Sequence, residues 1–166
     1  MAKVLGPTEG KAGMISSIGV RFMIAGAETD ERFSLVEHPM PPRSLAAPLH
    51  RHLREDEYTF VLEGQVGCLL GDEVLVANPG DLVWKPRNQW HTFWNPTDEP
   101  ARILEIISPA GFERFFDELV GLGGALKADP AAMGELCARY DLEMQPDTVP
   151  GLLERFDLRM PEPLAA

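Results

Sequence analysis

At 166 residues the chain fits one compact domain with a modest extension. An apolar share of 45% supports a core without disulfide staples, and 15 Gly with 15 Pro in no collagen-like period point to a turn-rich β fold. A net charge of −11 argues against attraction to nucleic-acid phosphates or anionic membranes.

From the N-terminus to Ile107 the pattern is strands and turns. Met1 to Thr8 has no long apolar run, and no stretch reaches membrane-spanning length, so a cytoplasmic chain is expected. Met14 to Ala25 predicts one or two strands, and Arg32 to Glu37 another, broken by Met40-Pro41-Pro42-Arg43. His38, before Pro39 and without a spacing partner, reads as a surface residue. Glu57 to Leu62 is aromatic and β-branched and ends at Glu63-Gly64. Gln65 to Leu70 and Val74 to Val76 flank Gly71-Asp72, a hairpin signal. Leu82 to Trp84, Trp90 to Trp94 and Arg102 to Ile107 complete the series, which argues for a sandwich or barrel. Trp84, Trp90 and Trp94 share one strand parity and are expected between sheets, under helices or at a dimer contact.

The texture changes at Ser108, dividing a β-barrel over 1–107 from a helical extension over 108–166. Ser108-Pro109 reads as a helix start, with Phe112, Phe115, Phe116, Leu119 and Val120 at helical spacing. Asp129-Pro130 repeats the signal, and a third short helix is expected through Leu152, Leu153 and Phe156. The ending from Pro161 to Ala166 reads as loose. The extension holds five Lys or Arg against eleven Asp or Glu, a net of −6, which excludes a DNA-recognition helix. It is expected to cover the barrel or meet a partner copy. Cys68 and Cys137 form no C-x-x-C pair and read as buried apolar side chains.

Three of the four histidines fall into one pattern. His50 and His52, two apart on a strand, point to the same face. Glu57 follows, and His91 lies further on. Three imidazoles and one carboxylate suit Mn, Fe, Co, Ni, Cu or Zn. By parity Thr59 and Val61 share the face of Glu57, and Phe93 and Asn95 that of His91. Thr59, Val61 and Phe93 are therefore candidates to line a pocket, or else plain core. Arg21, Lys85 and Arg87 are weaker candidates to anchor an anionic ligand.

The spacing resembles the cupin superfamily. Its first motif, G-x5-H-x-H-x4-E-x6-G, is matched by Ser44, His50, His52, Glu57 and Gly64, with Ser44 in place of Gly. Its second, G-x5-P-x-G-x2-H-x3-N, is matched by Gly80, Pro86, Asn88, His91 and Asn95, with Asn88 in place of Gly. Asn is the residue next most tolerant of a left-handed backbone, so that replacement is mild. The motifs cover Ser44 to Asn95, about a third of the chain.

The resemblance implies a mainly β fold, a double-stranded β-helix or jelly-roll barrel, here with a short C-terminal helical extension. It implies one divalent transition metal ion (Fe, Mn, Ni, Cu or Zn) on His50, His52, Glu57 and His91, and usually a homodimer. The pattern is most similar to small single-domain cupins of the quercetin-dioxygenase-like type. The expected function is a dioxygenase-type oxidoreductase on a small metal-chelating substrate, with Glu57 leaving the metal to act as a base. The alternatives are a non-catalytic metal- or ligand-binding cupin, or a zinc isomerase or lyase.

Overall fold

The structure, a computed structural model, describes residues 3–159. The loose ending expected from Pro161 onward lies outside these residues. Eleven strands among the described residues form two antiparallel sheets. In chain order they are β1 (Ala12–Met14), β2 (Gly19–Ile24), β3 (Ser34–Met40), β4 (Leu49–His52), β5 (Asp56–Glu63), β6 (Val66–Leu70), β7 (Glu73–Ala77), β8 (Leu82–Lys85), β9 (His91–Trp94), β10 (Ala101–Ser108) and β11 (Leu142–Gln145). The larger sheet runs β1-β2-β3-β10-β5-β8 and the smaller β11-β4-β9-β6-β7.

Strict alternation drives the packing. Along β5, Glu57, Thr59 and Val61 are buried while Asp56, Tyr58 and Phe60 are half-exposed. Along β10, Ala101, Ile103, Glu105 and Ile107 point inward. The inner faces of both sheets feed one core, with Val36, Val61, Val66 and Ile103 fully buried. Two turns from the motifs bend where the residue types allow it. Gly64 has φ +72°, and a Cβ there would lie 2.7 Å from the Pro100 carbonyl oxygen. Asn88 has φ 65°, the left-handed region expected of it.

The extension departs from the expected pattern in two ways. Ser108 does not cap a helix. It closes β10 opposite Asp56, and its hydroxyl donates to the Arg32 carbonyl. Sheet pairing outcompetes the local helix signal, and α1 begins only at Glu113 (Glu113–Gly121). The second departure is β11, which lies within the extension and pairs with β4, Leu142 opposite His52 and Met144 opposite His50. The extension is thus built into the barrel. The remaining helices are α2 (Pro130–Arg139) and α3 (Val149–Phe156). Asp129 caps α2 by accepting from the Ala131 and Ala132 amides.

The helices anchor by aromatic and aliphatic contacts. Phe112, Phe115, Phe116 and Leu119 join the main core, while Leu152 of α3 packs with Leu45, Leu69 and Trp94. Trp94 stacks on Phe156, and the Arg51 guanidinium lies over Trp90. Trp84 points outward as its parity predicts, but no sheet or helix among the described residues covers it; it is 57% exposed on β8, an edge strand.

Candidate metal centre

Both sheets contribute to one cluster. β4 turns His50 and His52 inward and leaves Arg51 outside, paired with Glu143. β9 lies beside β4 with His91 opposite His50. β5 brings Glu57 from the larger sheet. One ligand atom from each of His50, His52, Glu57 and His91 lies within 4.8 Å of the others, and all four residues are buried. His52 Nε2 is 3.4 Å from Glu57 Oε1, and His91 Nε2 is 3.3 Å from Glu57 Oε2.

The surroundings orient two of the rings. His50 Nδ1 lies 2.8 Å from the Pro48 carbonyl and His91 Nδ1 lies 2.9 Å from the Gln89 carbonyl. With Nδ1 donating, each Nε2 is left as a lone-pair donor to a metal. His91 Nε2, both ring nitrogens of His52, and Glu57 Oε2 are sealed from solvent without an aligned hydrogen-bond partner. Such atoms are costly unless something else satisfies them. This donor set, three imidazoles and a carboxylate with atoms facing one point, fits a divalent metal ion.

The electrostatics favour ligand-ready protonation states. Burial, with His91 and His52 nearby, pushes His50 well below the ordinary imidazole range, and burial pushes His52 down to about 4. Both are neutral donors at pH 7. Burial alone would raise the Glu57 carboxyl, but Lys85, His52 and His91 hold it well below the usual carboxylate range.

Lys85 is the group that compensates this charge. It stands opposite Glu57 on β8, fully buried, with Nζ 2.8 Å from Glu57 Oε2 and 3.0 Å from Glu105 Oε2. The contact to Glu57 is close but not aligned as a hydrogen bond, whereas the one to Glu105 is. Thr59 donates its hydroxyl to the same Glu105 carboxylate. Lys85 is therefore an internal counter-charge and no anchor for a ligand. Arg21 and Arg87 are also engaged, by Glu37 and Asp56.

A cavity of about 50 Å³ opens over the cluster. Phe93 is among its walls, as parity predicts, with His50, His52 and Glu57. Thr59 and Val61 face the interior but do not reach it. Thr59 is bound to Glu105, and Val61 is fully buried in the aliphatic core. The walls that sequence reasoning missed are Phe112, Phe115 and Phe116 near α1 and Leu142 and Met144 of β11. The phenylalanine spacing marked a buried face without showing what it faced. His38 is also a wall, which corrects its reading as a surface residue. It is 1% exposed, with Nδ1 2.8 Å from the Gly19 carbonyl and its ring edge-on to Phe116. Inward strand parity outweighs the neighbouring prolines.

Comparison with known proteins agrees with this architecture. Residues 37–107, which hold all four candidate ligands, match the Cupin domain family. No curated protein is significantly similar in sequence. Among solved structures, the polyketide cyclase RemF from Streptomyces resistomycificus is 26% identical, with 65% of this chain and 80% of that one covered and a TM-score of 0.57. A predicted oxalate decarboxylase from Thermotoga maritima is 18% identical over 64% and 99% of the two chains, TM-score 0.59. A sugar phosphate isomerase from the cupin superfamily of Silicibacter pomeroyi is 20% identical over 64% and 75%, TM-score 0.56. The last two likenesses show the fold alone. The fold is the cupin fold, and together with the domain match it supports the cupin superfamily for this chain. No helix among the described residues is long and apolar enough to cross a membrane.

Proposed function

We propose that the chain is a metal-dependent enzyme of the dioxygenase type acting on a small organic anion that chelates the metal. The observation that carries this reading is a buried four-ligand cluster opening onto an apolar cavity. A redox-active divalent ion held by His50, His52, Glu57 and His91 would supply Lewis acidity and an electron path between substrate and dioxygen. The chain's own residues do the rest. Phe93, Phe112 and Phe116 hold the substrate body and exclude water. Glu57 accepts a substrate proton, and Lys85 stabilises the carboxylate between turnovers.

The test is oxygen uptake with enols, flavonols and diketones, using protein loaded in turn with iron, manganese, nickel and copper. Uptake with one metal, and its loss in Glu57→Gln with ligand binding retained, is the expected result. Ligand binding without uptake across the grid moves the assignment to a binding module. A redox-neutral isomerase or lyase is the second reading, favoured by the adjoining Glu57, Lys85 and Glu105 charges and by the likeness to a polyketide cyclase.

Two further properties belong to the same proposal. The outer face of the larger sheet carries exposed Leu82 and Trp84, paired across strands with Phe60 and Tyr58. An apolar sheet face of this kind suits a second copy of the chain, giving a homodimer. Light scattering should report twice the 18.4 kDa chain mass, and Trp84→Glu should shift it towards the monomer. A wild-type monomer at micromolar concentration would remove the dimer. The unpaired thiols of Cys68 and Cys137 suit a reducing, cytoplasmic compartment.

A further inference from the structure

The cavity over the metal centre has a neighbour. A second chamber of about 190 Å³ lies beside it. Ile15, Ala46, Ala47, Phe115, Phe116 and Met144 wall both hollows, so the two meet at a common boundary. Beyond that boundary the outer chamber is lined by Leu119 of α1, Ala125, Met133 of α2 and Pro146.

The titratable groups lie at one end only. The inner cavity gathers His38, His50, His52, Glu57 and Glu105. The outer chamber has no charged wall, and Ser16 supplies its single side-chain hydroxyl. A charged or strongly hydrated group would lose its water there without replacement, whereas methylenes or a ring edge would gain from leaving water. Met133 and Met144 are unbranched and polarisable, and they adapt to tails of differing shape. The barrel alone does not close this space. Residues of the C-terminal extension complete it.

We infer that the two chambers form one ligand channel and that the substrate is an amphiphile. Its oxygen-chelating head sits at the metal, and its apolar tail passes Phe116 and Met144 into the outer chamber. The extension is then the specificity-determining wall of the site. This inference rests on the reading of the cluster as a metal centre that binds ligand.

Straight-chain hydroxamates, from acetohydroxamate to octanohydroxamate, test it by calorimetric titration of zinc-loaded protein, where no turnover occurs. Affinity should rise about fourfold per added methylene until the chamber is full, then level off. Ala125→Trp and Met133→Trp, which fill the outer chamber from two directions, should abolish that rise. Zinc content and acetohydroxamate affinity should stay unchanged in both. A head group that binds with no dependence on chain length overturns the channel and leaves the metal-bound-ligand reading intact. A rise that persists in both variants overturns the outer chamber as the tail's location. No binding of any hydroxamate to loaded protein overturns the channel together with that reading.

Discussion

The inner faces of β5 and β10 change character along their length. At one end Val61 lies opposite Ile103, and neither has any solvent exposure. At the other, Glu57, Lys85 and Glu105 share the same inward alternation beside three imidazoles. The inward alternation is the same, yet the energetics are opposed. The aliphatic end stabilises by removing apolar surface from water. The polar end takes charges out of water and survives because each has a partner. The lesson is that strand parity places residues inside without regard to polarity, and only compensation decides whether the result is core or site.

Removing the central compensation is the sharpest way to break this contrast. In Lys85→Met, two buried carboxylates lose their shared cation, and a loss of about 3–5 kcal/mol is expected in metal-free protein. An added divalent ion should recover part of the loss by neutralising Glu57. At the aliphatic end, Ile103→Val should cost about 1 kcal/mol and leave metal content unchanged. Urea denaturation with and without metal measures both. A Lys85→Met cost below that of Ile103→Val would mean that the carboxylates are protonated in the folded protein.

A smaller effect comes from His38, which sits on the border between the two ends. Burial lowers its pKa from 6.5 to about 4. The unfolded chain therefore binds more protons between those values. The contribution of His38 is fully present above pH 6.5, falls as pH drops towards 4, and changes no further below that. By pH 5 the loss is about 2 kcal/mol. Wild type and His38→Leu, compared by denaturation at pH 7.5 and pH 5, should differ in their pH loss by that amount. Equal losses would show that the imidazole charges freely within the fold.

His38 also marks where sequence reading stops. The candidate cluster was legible because a metal site would require fixed residue types at spacings that strand parity can deliver, and His50, His52, Glu57 and His91 follow that rule. The strands from Glu57 to Ile107 were legible through alternation and turn residues. Lys85 was visible as a cation, but nothing local shows that Glu57 and Glu105 stand within 3.0 Å of it; that follows from the order β10-β5-β8. β11 was hidden for a related reason. Leu142–Gln145 has four residues of mixed polarity, and its strand conformation comes from pairing with β4, about ninety residues earlier. Ser108 shows the converse, a sound local helix signal overridden by sheet pairing.

The smallest predicted effect concerns the turn that delivers the polar end. Residues 86–90 connect Lys85 on β8 to His91 on β9, and so carry the chain from one sheet to the other. Asn88 holds φ 65° in this turn, and its amide donates to the His52 carbonyl at 2.7 Å. The left-handed conformation costs a residue with an ordinary Cβ about 1–2 kcal/mol, while Gly takes it freely and Asn pays less than most. Asn88→Gly should therefore change stability by less than about 0.5 kcal/mol, because easier backbone geometry is offset by a more flexible unfolded chain. Asn88→Ala should cost about 1 kcal/mol and weaken metal binding as well, since strain in the turn displaces His91 and loosens its contact with His52. Thermal melts with parallel metal titration check the pair. If Asn88→Ala lost stability but bound metal as tightly as wild type, the turn would serve the fold alone, and the polar end would owe its geometry to the strands.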